Sequence, residues 1–581
     1  MPGCGRHRGT TRFLGVYLVK NGKPDTLIPL FYQLQSENKT ATMSPTVSFL
    51  NPSLETKIMS QLPDYVASAQ PNSFENRAPW LTTTAATYAG IMLWFAFWAN
   101  LPGAGGAAGG ALSQGLLFAI GSLVIAAFIC YVCFYHVPAM LGMKTGLPLY
   151  IVGTSTYGVE GGFFMPGFLM GCLQFGWLSV NGYFAGLGFA LMAGFGVNSL
   201  VHLGLGVIWA VIAGFVGLKG IKYVSMVASY MPIIPIAALL CLFLCTVWGV
   251  FKFDPEKALN PGKVVASVVE PAIVPVVAEV QPIVADDADE NAEDGAIETV
   301  VIVERVDNKP ITPVETKKAA GFGLWGKGTL GSLAGQLGIL SLICAYVTGF
   351  FATAGAAGCD FGSNNKDRNA VILGGLVGIT GATIFTGAIA LIAVAGAQGV
   401  LTGTDAPLNP YENMKLLMGG PLGGLFMFLL AVAAFPAACF STLIASNSFR
   451  TTLPKVDPLI SCGIGTGVAC LLIVTTLAGK ADFVFGFIGA SFGPVCGAMM
   501  ADYLLAGKKW AGPRAGYNLA GWISFGVGFL VGGLPLLFGG LASVIPCPPV
   551  SAFVVGFGLY WILAKQGFES PKLDMPQRID L

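Results

Sequence analysis

The sequence predicts an all-α integral membrane protein of twelve transmembrane helices, built as a five-plus-five inverted repeat with two helices appended. Three observations predict it. Of the 581 residues, 54% are hydrophobic and only 10% are charged, and mean hydropathy is +0.71; soluble domains carry about 25% charge. The charges cluster in short connections and leave charge-free intervals long enough for spans of about 20 residues. Two segments five spans apart are interrupted by small residues, and matching interruptions in two halves point to a transporter site.

The intervals give the count. Arg77 to Lys144 and Glu160 to Lys219 hold two spans each; 222–252, 327–360, 368–405, 415–450, 457–480 and 482–502 hold one each; Arg514 to Lys565 holds two. An even number puts both termini on one side. The connections after spans two, four, six, eight and ten carry Lys144; Lys219 and Lys222; Lys366 and Arg368; Arg450 and Lys455; Lys508, Lys509 and Arg514. The opposite short loops hold only Lys415 and Lys480. Positive charge stays inside, so both termini are expected in the cytoplasm and the protein in the cytoplasmic (inner) membrane.

Residues 1–79 are expected to form a disordered cytoplasmic extension, whose true start is either Met1 or Met43. No signal-peptide pattern is present, since the first long apolar run begins near Trp80. Residues 80–251 hold spans one to five, the first repeat. Span one, about 81–101, runs into Pro102 and a glycine-rich run, which weaken a helix ladder; broken helices are tolerated in a membrane where they line protein or a cavity. Span two, about 114–143, contains His136, read as structural. The uncharged segment 145–159 is expected to lie along the inner surface as an interfacial helix. Spans three to five follow at about 163–193, 200–218 and 223–251.

Composition then changes. Between Lys252 and Ala320 stand fourteen acidic and seven basic residues, including D-D-A-D-E-N-A-E-D. Residues 252–329 read as a disordered, extracytoplasmic acidic insertion. Residues 330–505 hold spans six to ten, the second repeat. Span six, about 331–358, breaks in G-F-F-A-T-A-G-A-A-G-C-D-F-G, and span eight, about 421–448, has a weak point at F-P-A-A-C-F-S-T. Spans nine to twelve fall at about 458–478, 483–504, 517–538 and 548–565. The last two occupy 506–565, before a cytoplasmic tail at 566–581.

The chemistry concentrates in span three. No charge occurs between Glu160 and Lys219, yet Gln174, Trp177 and Asn181 stand at i, i+3 and i+7 on one face. An indole between two carboxamides suits a flat, uncharged, hydrogen-bonding ligand. The competing reading is interhelical glue, since Gln and Asn also tie membrane helices together. The 13 cysteines lie mostly in apolar runs and read as buried thiols. The pair Cys130 and Cys133 has no second pair to complete a metal site. A net charge of +1 argues for no nucleic-acid partner. Zinc-protease, nucleophile-elbow and selectivity-filter patterns are absent from the sequence, which argues against an enzyme or a channel.

Six motifs occur in order: M-K-T-G-L at 143–147, S-T-Y-G-V-E-G-G at 155–162, Q-F-G-W at 174–177, G-F-F-A-T-A-G at 349–355, C-D-F-G at 359–362 and M-A-D-Y-L-L at 500–505. In these the chain resembles the nucleobase:cation symporter-1 family, most closely its bacterial cytosine permease branch. The resemblance implies a LeuT-type fold with substrate held between spans one, three, six and eight. It implies substrate contacts from Gln174, Trp177, Phe351, Thr353 and Ala354, the last two in unwound backbone, and from Phe95 or Phe97 in span one. It implies import of cytosine, or of another small heterocycle (purine, uracil, hydroxymethylpyrimidine, hydantoin or allantoin), by a monomer in the lipid bilayer with no organic cofactor.

The coupling ion is sodium or a proton. No metal is expected beyond a possible sodium ion. Sodium-binding members place Asn and paired Thr residues on span eight, where this chain has Ser441 and Thr442 as the nearest hydroxyls. Asp360 and Asp502, near Lys366 and Lys508, read as salt-bridge or gate contacts, with Asp360 the first candidate for proton coupling.

Overall fold

The computed structural model describes residues 62–104, 110–219, 231, 233–255, 332–401 and 407–575. The expected extension up to residue 61, most of the acidic insertion (256–331) and the last six residues lie outside them.

Among the described residues, ten helices are long and apolar enough to cross a membrane: Leu116–Thr145, Phe163–Met192, Leu200–Leu218, Ile233–Lys252, Leu333–Ala356, Arg368–Val400, Gly420–Arg450, Ala481–Leu505, Leu519–Leu537 and Pro548–Lys565. A shorter apolar helix, Pro458–Val474, stands between the eighth and tenth spans. Span one is assembled from pieces, a π-helical turn at Leu81–Ala85 and helices at Ala86–Met92 and Phe95–Asn100. With these two the described residues hold twelve spans. Span eight is also in two pieces, Gly420–Ala433 and Phe435–Thr452.

The breaks differ from those expected. Span one opens at Leu93–Trp94, where Trp94 is extended (φ −60°, ψ 121°), eight residues before Pro102. Span six is helical through Ala356 and turns at Ala357, so Thr353 and Ala354 stand in helix and not in unwound backbone. The weak point in span eight lies at Ala434, where Pro436 cannot donate to the preceding turn.

Most of the interior is helix against helix through small residues. A Cβ built on Gly186 would sit 2.6 Å from the Gly206 nitrogen, and one on Gly182 2.9 Å from the Gly206 carbonyl. Spans three and four therefore touch backbone to backbone, as small residues allow in membranes. Span ten is the central pillar, 78% buried over its most apolar stretch against 28% for span twelve.

One end of the bundle carries Lys144, Lys366 and Lys508 and is called here the basic end. Residues 62–79, expected to be disordered, include a short helix at Asp64–Ala67 and close over the end: Arg77 donates to the carbonyls of Met143 (2.8 Å) and Asn365 (3.3 Å). The segment 145–159 forms two short helices, Leu149–Val152 and Thr154–Tyr157. They are gripped by the span ten–eleven loop and the tail, through a cluster around Asp502. Its carboxylate takes the Ser155 and Thr156 hydroxyls at 2.6 and 3.1 Å and pairs with Arg514 at 3.3 Å; Arg514 also pairs with Glu569 at 2.7 Å. The partner of Asp502 is thus Arg514 and not Lys508.

Candidate functional site

Span three supplies one wall. Gln174, Trp177 and Asn181 face a cavity of about 550 Å³, whose other walls come from spans one, five, six and eight. It runs from Trp94, Trp177 and Phe350 in mid-bundle to Thr82 and Phe361 at the basic end. Toward the far end it is blocked by buried aromatic rings. Phe97 packs on Phe350 with ring centroids 4.5 Å apart and on Tyr346 at 5.9 Å. The Tyr346 hydroxyl donates to the Phe97 carbonyl at 3.2 Å.

The three polar residues of span three do different work. Asn181 is glue: its amide donates to the Ala434 carbonyl at the break in span eight (3.1 Å), and its oxygen accepts from Trp209 of span four (3.3 Å). Trp177 donates to the Thr353 hydroxyl at 3.0 Å, with its ring 4.8 Å from Phe350, 5.1 Å from Phe485 and 5.7 Å from Trp94. Its orientation is therefore set before any ligand arrives. Gln174 is 5% exposed, and its one hydrogen bond among the described residues is to the Met170 sulfur at 3.4 Å, a weak acceptor. A buried carboxamide so poorly matched is a standing donor and acceptor for something in the cavity.

Among the described residues the lining holds no ionisable side chain. Its polar groups are Gln174, Asn181, the Trp94 and Trp177 indoles and the hydroxyls of Thr82, Thr87, Thr353 and Ser441. Such a site can sandwich and hydrogen-bond a planar neutral molecule, whereas a free charge would stay without a partner.

Of the residues expected at the site, Gln174, Trp177, Thr353, Ala354 and Ser441 line the cavity. Phe95 and Phe97 do not: they are 1% and 0% exposed in the core, and Trp94, at the break, lines the cavity instead. Phe351 points away to Tyr88 (5.7 Å), and Phe350 takes its place. Each displacement is of one to three residues, and one residue rotates a helical side chain by about 100°. Thr442 is also outside the lining. It packs toward Gly214 and Gly217 of span four, with a buried hydroxyl lacking a partner among the described residues.

Asp360 lies beyond the end of span six, where its carboxylate accepts the Leu149 N–H at 3.0 Å, and not a lysine. Burial pushes its pKa up from 3.8 to about 6, with the Leu149 N–H opposing the rise. Its neighbour Phe361 lines the mouth of the cavity. No group of three or more potential metal ligands occurs among the described residues.

No protein-family model matches this chain, and no curated protein matches it. Solved structures do. The chain is similar to Mhp1 in its inward-facing conformation, with 14% identity, 89% of this chain and 96% of that chain covered, and a TM-score of 0.57. It is also similar to Mhp1, described as a nucleobase-cation-symport-1 family transporter, in a closed conformation with bromovinylhydantoin bound, with 13% identity, 87% and 96% covered and a TM-score of 0.53. The fold is therefore of the LeuT type, as expected from the sequence.

Proposed function

We propose that this chain is a secondary transporter of the nucleobase:cation symporter-1 kind, which imports cytosine or a related planar base with a cation by alternating access. The observation that carries the reading is Gln174: a buried carboxamide without a strong protein partner, beside an oriented indole, in an uncharged cavity where two broken spans meet. A base would stack on Trp177 and use Gln174 as both donor and acceptor. The cavity reaches the basic end and is closed at the other, so the conformation is open to one side. With the basic end in the cytoplasm, that side is the inward one and the membrane is the cytoplasmic one.

Sodium is the proposed coupling ion. Carbonyls at the Leu93–Trp94 break and the hydroxyls of Ser441 and Thr442 are the oxygens available for it, and unwound backbone can serve such a cage. Thr442 would have to turn toward the cavity as span eight moves. A proton carried by Asp360 is the alternative, motivated by its raised pKa.

Counterflow of radiolabelled cytosine in proteoliposomes tests the reading. Unlabelled uracil, purines, hydroxymethylpyrimidine, hydantoin and allantoin as competitors identify the substrate. The hydantoin belongs in the panel because a structure of like fold holds one. Absence of counterflow with every compound would sink the proposal. By linkage, substrate affinity should rise with sodium at fixed pH and ionic strength, choline replacing it. Unchanged affinity, with uptake following an imposed pH gradient, would shift the coupling to protons.

A further inference from the structure

Two cysteines far from the cavity's mouth meet across an element boundary. Cys547 immediately precedes span twelve, in the left-handed region at φ 44°, and its N–H donates to the Ser341 hydroxyl of span six at 2.6 Å. Its thiol lies within interaction range of the Cys344 thiol and the Thr348 hydroxyl. Ser341, Cys344 and Thr348 stand at i, i+3 and i+7, one face of span six. The junction is tight on its other side as well. A Cβ on Gly489 of span ten would lie 2.5 Å from Pro549 and 3.0 Å from the Gly349 Cα. The start of span twelve is thereby wedged between spans six and ten, and the two thiols are held together by the fold. Both are free cysteines, Cys344 buried and Cys547 partly exposed. By contrast, Cys130 and Cys133 lie three apart on one helix, where a bond would tie nothing to anything else.

We propose that Cys344 and Cys547 are a redox-active pair that closes reversibly to a disulfide across the junction of spans six and twelve. The oxidant is a small or protein disulfide. The partly exposed Cys547 thiolate, having lost its proton to solvent, attacks one oxidant sulfur and expels the other as a thiol, leaving a mixed disulfide. The Cys344 thiol then loses its proton, attacks the Cys547 sulfur and expels the second oxidant thiol. Two protein thiols are oxidised and one disulfide is reduced to two thiols. Cys547 lies at the end of span twelve opposite the basic one, the side on which oxidising compartments are found if the basic end is cytoplasmic, and Cys344 lies half-way along span six. Span six contributes Phe350, Thr353 and Ala354 to the cavity, and Tyr346 and Phe350 to its block. A covalent tie to span twelve would hold that block shut and arrest the conformation described here. This consequence, unlike the bond itself, rests on the transport reading.

The test uses the full-length protein in liposomes, treated with glutathione disulfide. Peptides are mapped by mass without reduction, after alkylation of the remaining thiols. The expected result is a linked pair of peptides carrying Cys344 and Cys547, two hydrogen masses below their sum, released by dithiothreitol and absent from C344S and C547S. Absence of that pair from the wild-type protein, or linkage only between other cysteines, overturns the site, whatever the variants do. Oxidised wild-type protein should show counterflow slowed at least tenfold and restored by dithiothreitol, while oxidised C547S keeps its rate. Linkage with an unchanged counterflow rate overturns the arrest. If the reduced protein carries no base at all, the transport reading fails and the linkage result still decides the site.

Discussion

Gln174 and Asn181 stand two turns apart on one face and share a chemistry, yet the structure gives them opposite surroundings. Asn181 spends both ends of its amide on spans four and eight, whereas Gln174 has only a thioether. Gln174→Ala is expected to weaken base binding by about five- to 150-fold, the loss of 1–3 kcal/mol for an unmet buried partner, with thermal stability unchanged. Asn181→Ala is expected to lower stability by a similar 1–3 kcal/mol and to leave affinity closer to wild type once the protein is folded. Isothermal titration beside a thermal melt in detergent checks both. The reverse pattern would exchange the roles of the two amides. Asp360 gives a pH signature. Folded, it holds its proton up to about pH 6, whereas its ordinary value is 3.8. Between these values the folded state binds more protons than the unfolded one, so its contribution to stability is present below about pH 4 and is lost as pH rises toward 6. Asp360→Asn should flatten that part of the melting-temperature profile; an unchanged profile would show that Asp360 does not titrate there.

Among the elements, spans three and four touch backbone to backbone. Gly182 and Gly186 meet Gly206 at distances that leave no room for a Cβ. Gly182→Leu should push the two helices apart and misplace Trp177 and Asn181. The expected outcome is a severe loss of monodisperse protein in size-exclusion chromatography, since overpacking alone costs about 1–3 kcal/mol and here the obstacle is backbone. Full yield with normal base binding would show that the spans can separate without harm. The breaks belong to this scale too. Span eight opens at Ala434 because Pro436 has no N–H to give the Val432 carbonyl, and the Ala434 carbonyl at the break accepts both the Asn181 amide and the Ala438 N–H. The opening at Leu93–Trp94 has no proline at the break, so tertiary packing holds it. Trp94 sits among Phe350, Phe95 and Trp177.

For the whole molecule, the acidic insertion is expected to be dispensable for transport. Its residues 261–316 contain no leucine, methionine or aromatic residue, and loop length changes outside a bundle cost little. Their deletion is expected to leave counterflow within about twofold of wild type, a loop-closure change of well under 1 kcal/mol. Loss of counterflow in a correctly inserted deletion mutant would assign the insertion a role in transport. The sequence by itself determined the class of protein, the twelve spans to within a few residues where they are described, and the polar face of span three. Each of these follows from the one-dimensional run of charge and apolarity, because the bilayer imposes length and hydropathy on each helix separately. Part of the site was legible by the same means. If Thr353 and Ala354 face the ligand, helical spacing puts Phe350 and Ala357 beside them and turns Phe351 away, a signal already present at 350, 353, 354 and 357. Only the tertiary structure decided the rest: that Trp94 and not Phe95 or Phe97 meets the cavity, that span six stays helical to Ala356, that Asp502 pairs with Arg514, and that Cys547 docks on Cys344. These depend on how far each helix is rotated about its axis and on which distant segments it meets, and no local pattern of residues encodes the balance of packing that sets either.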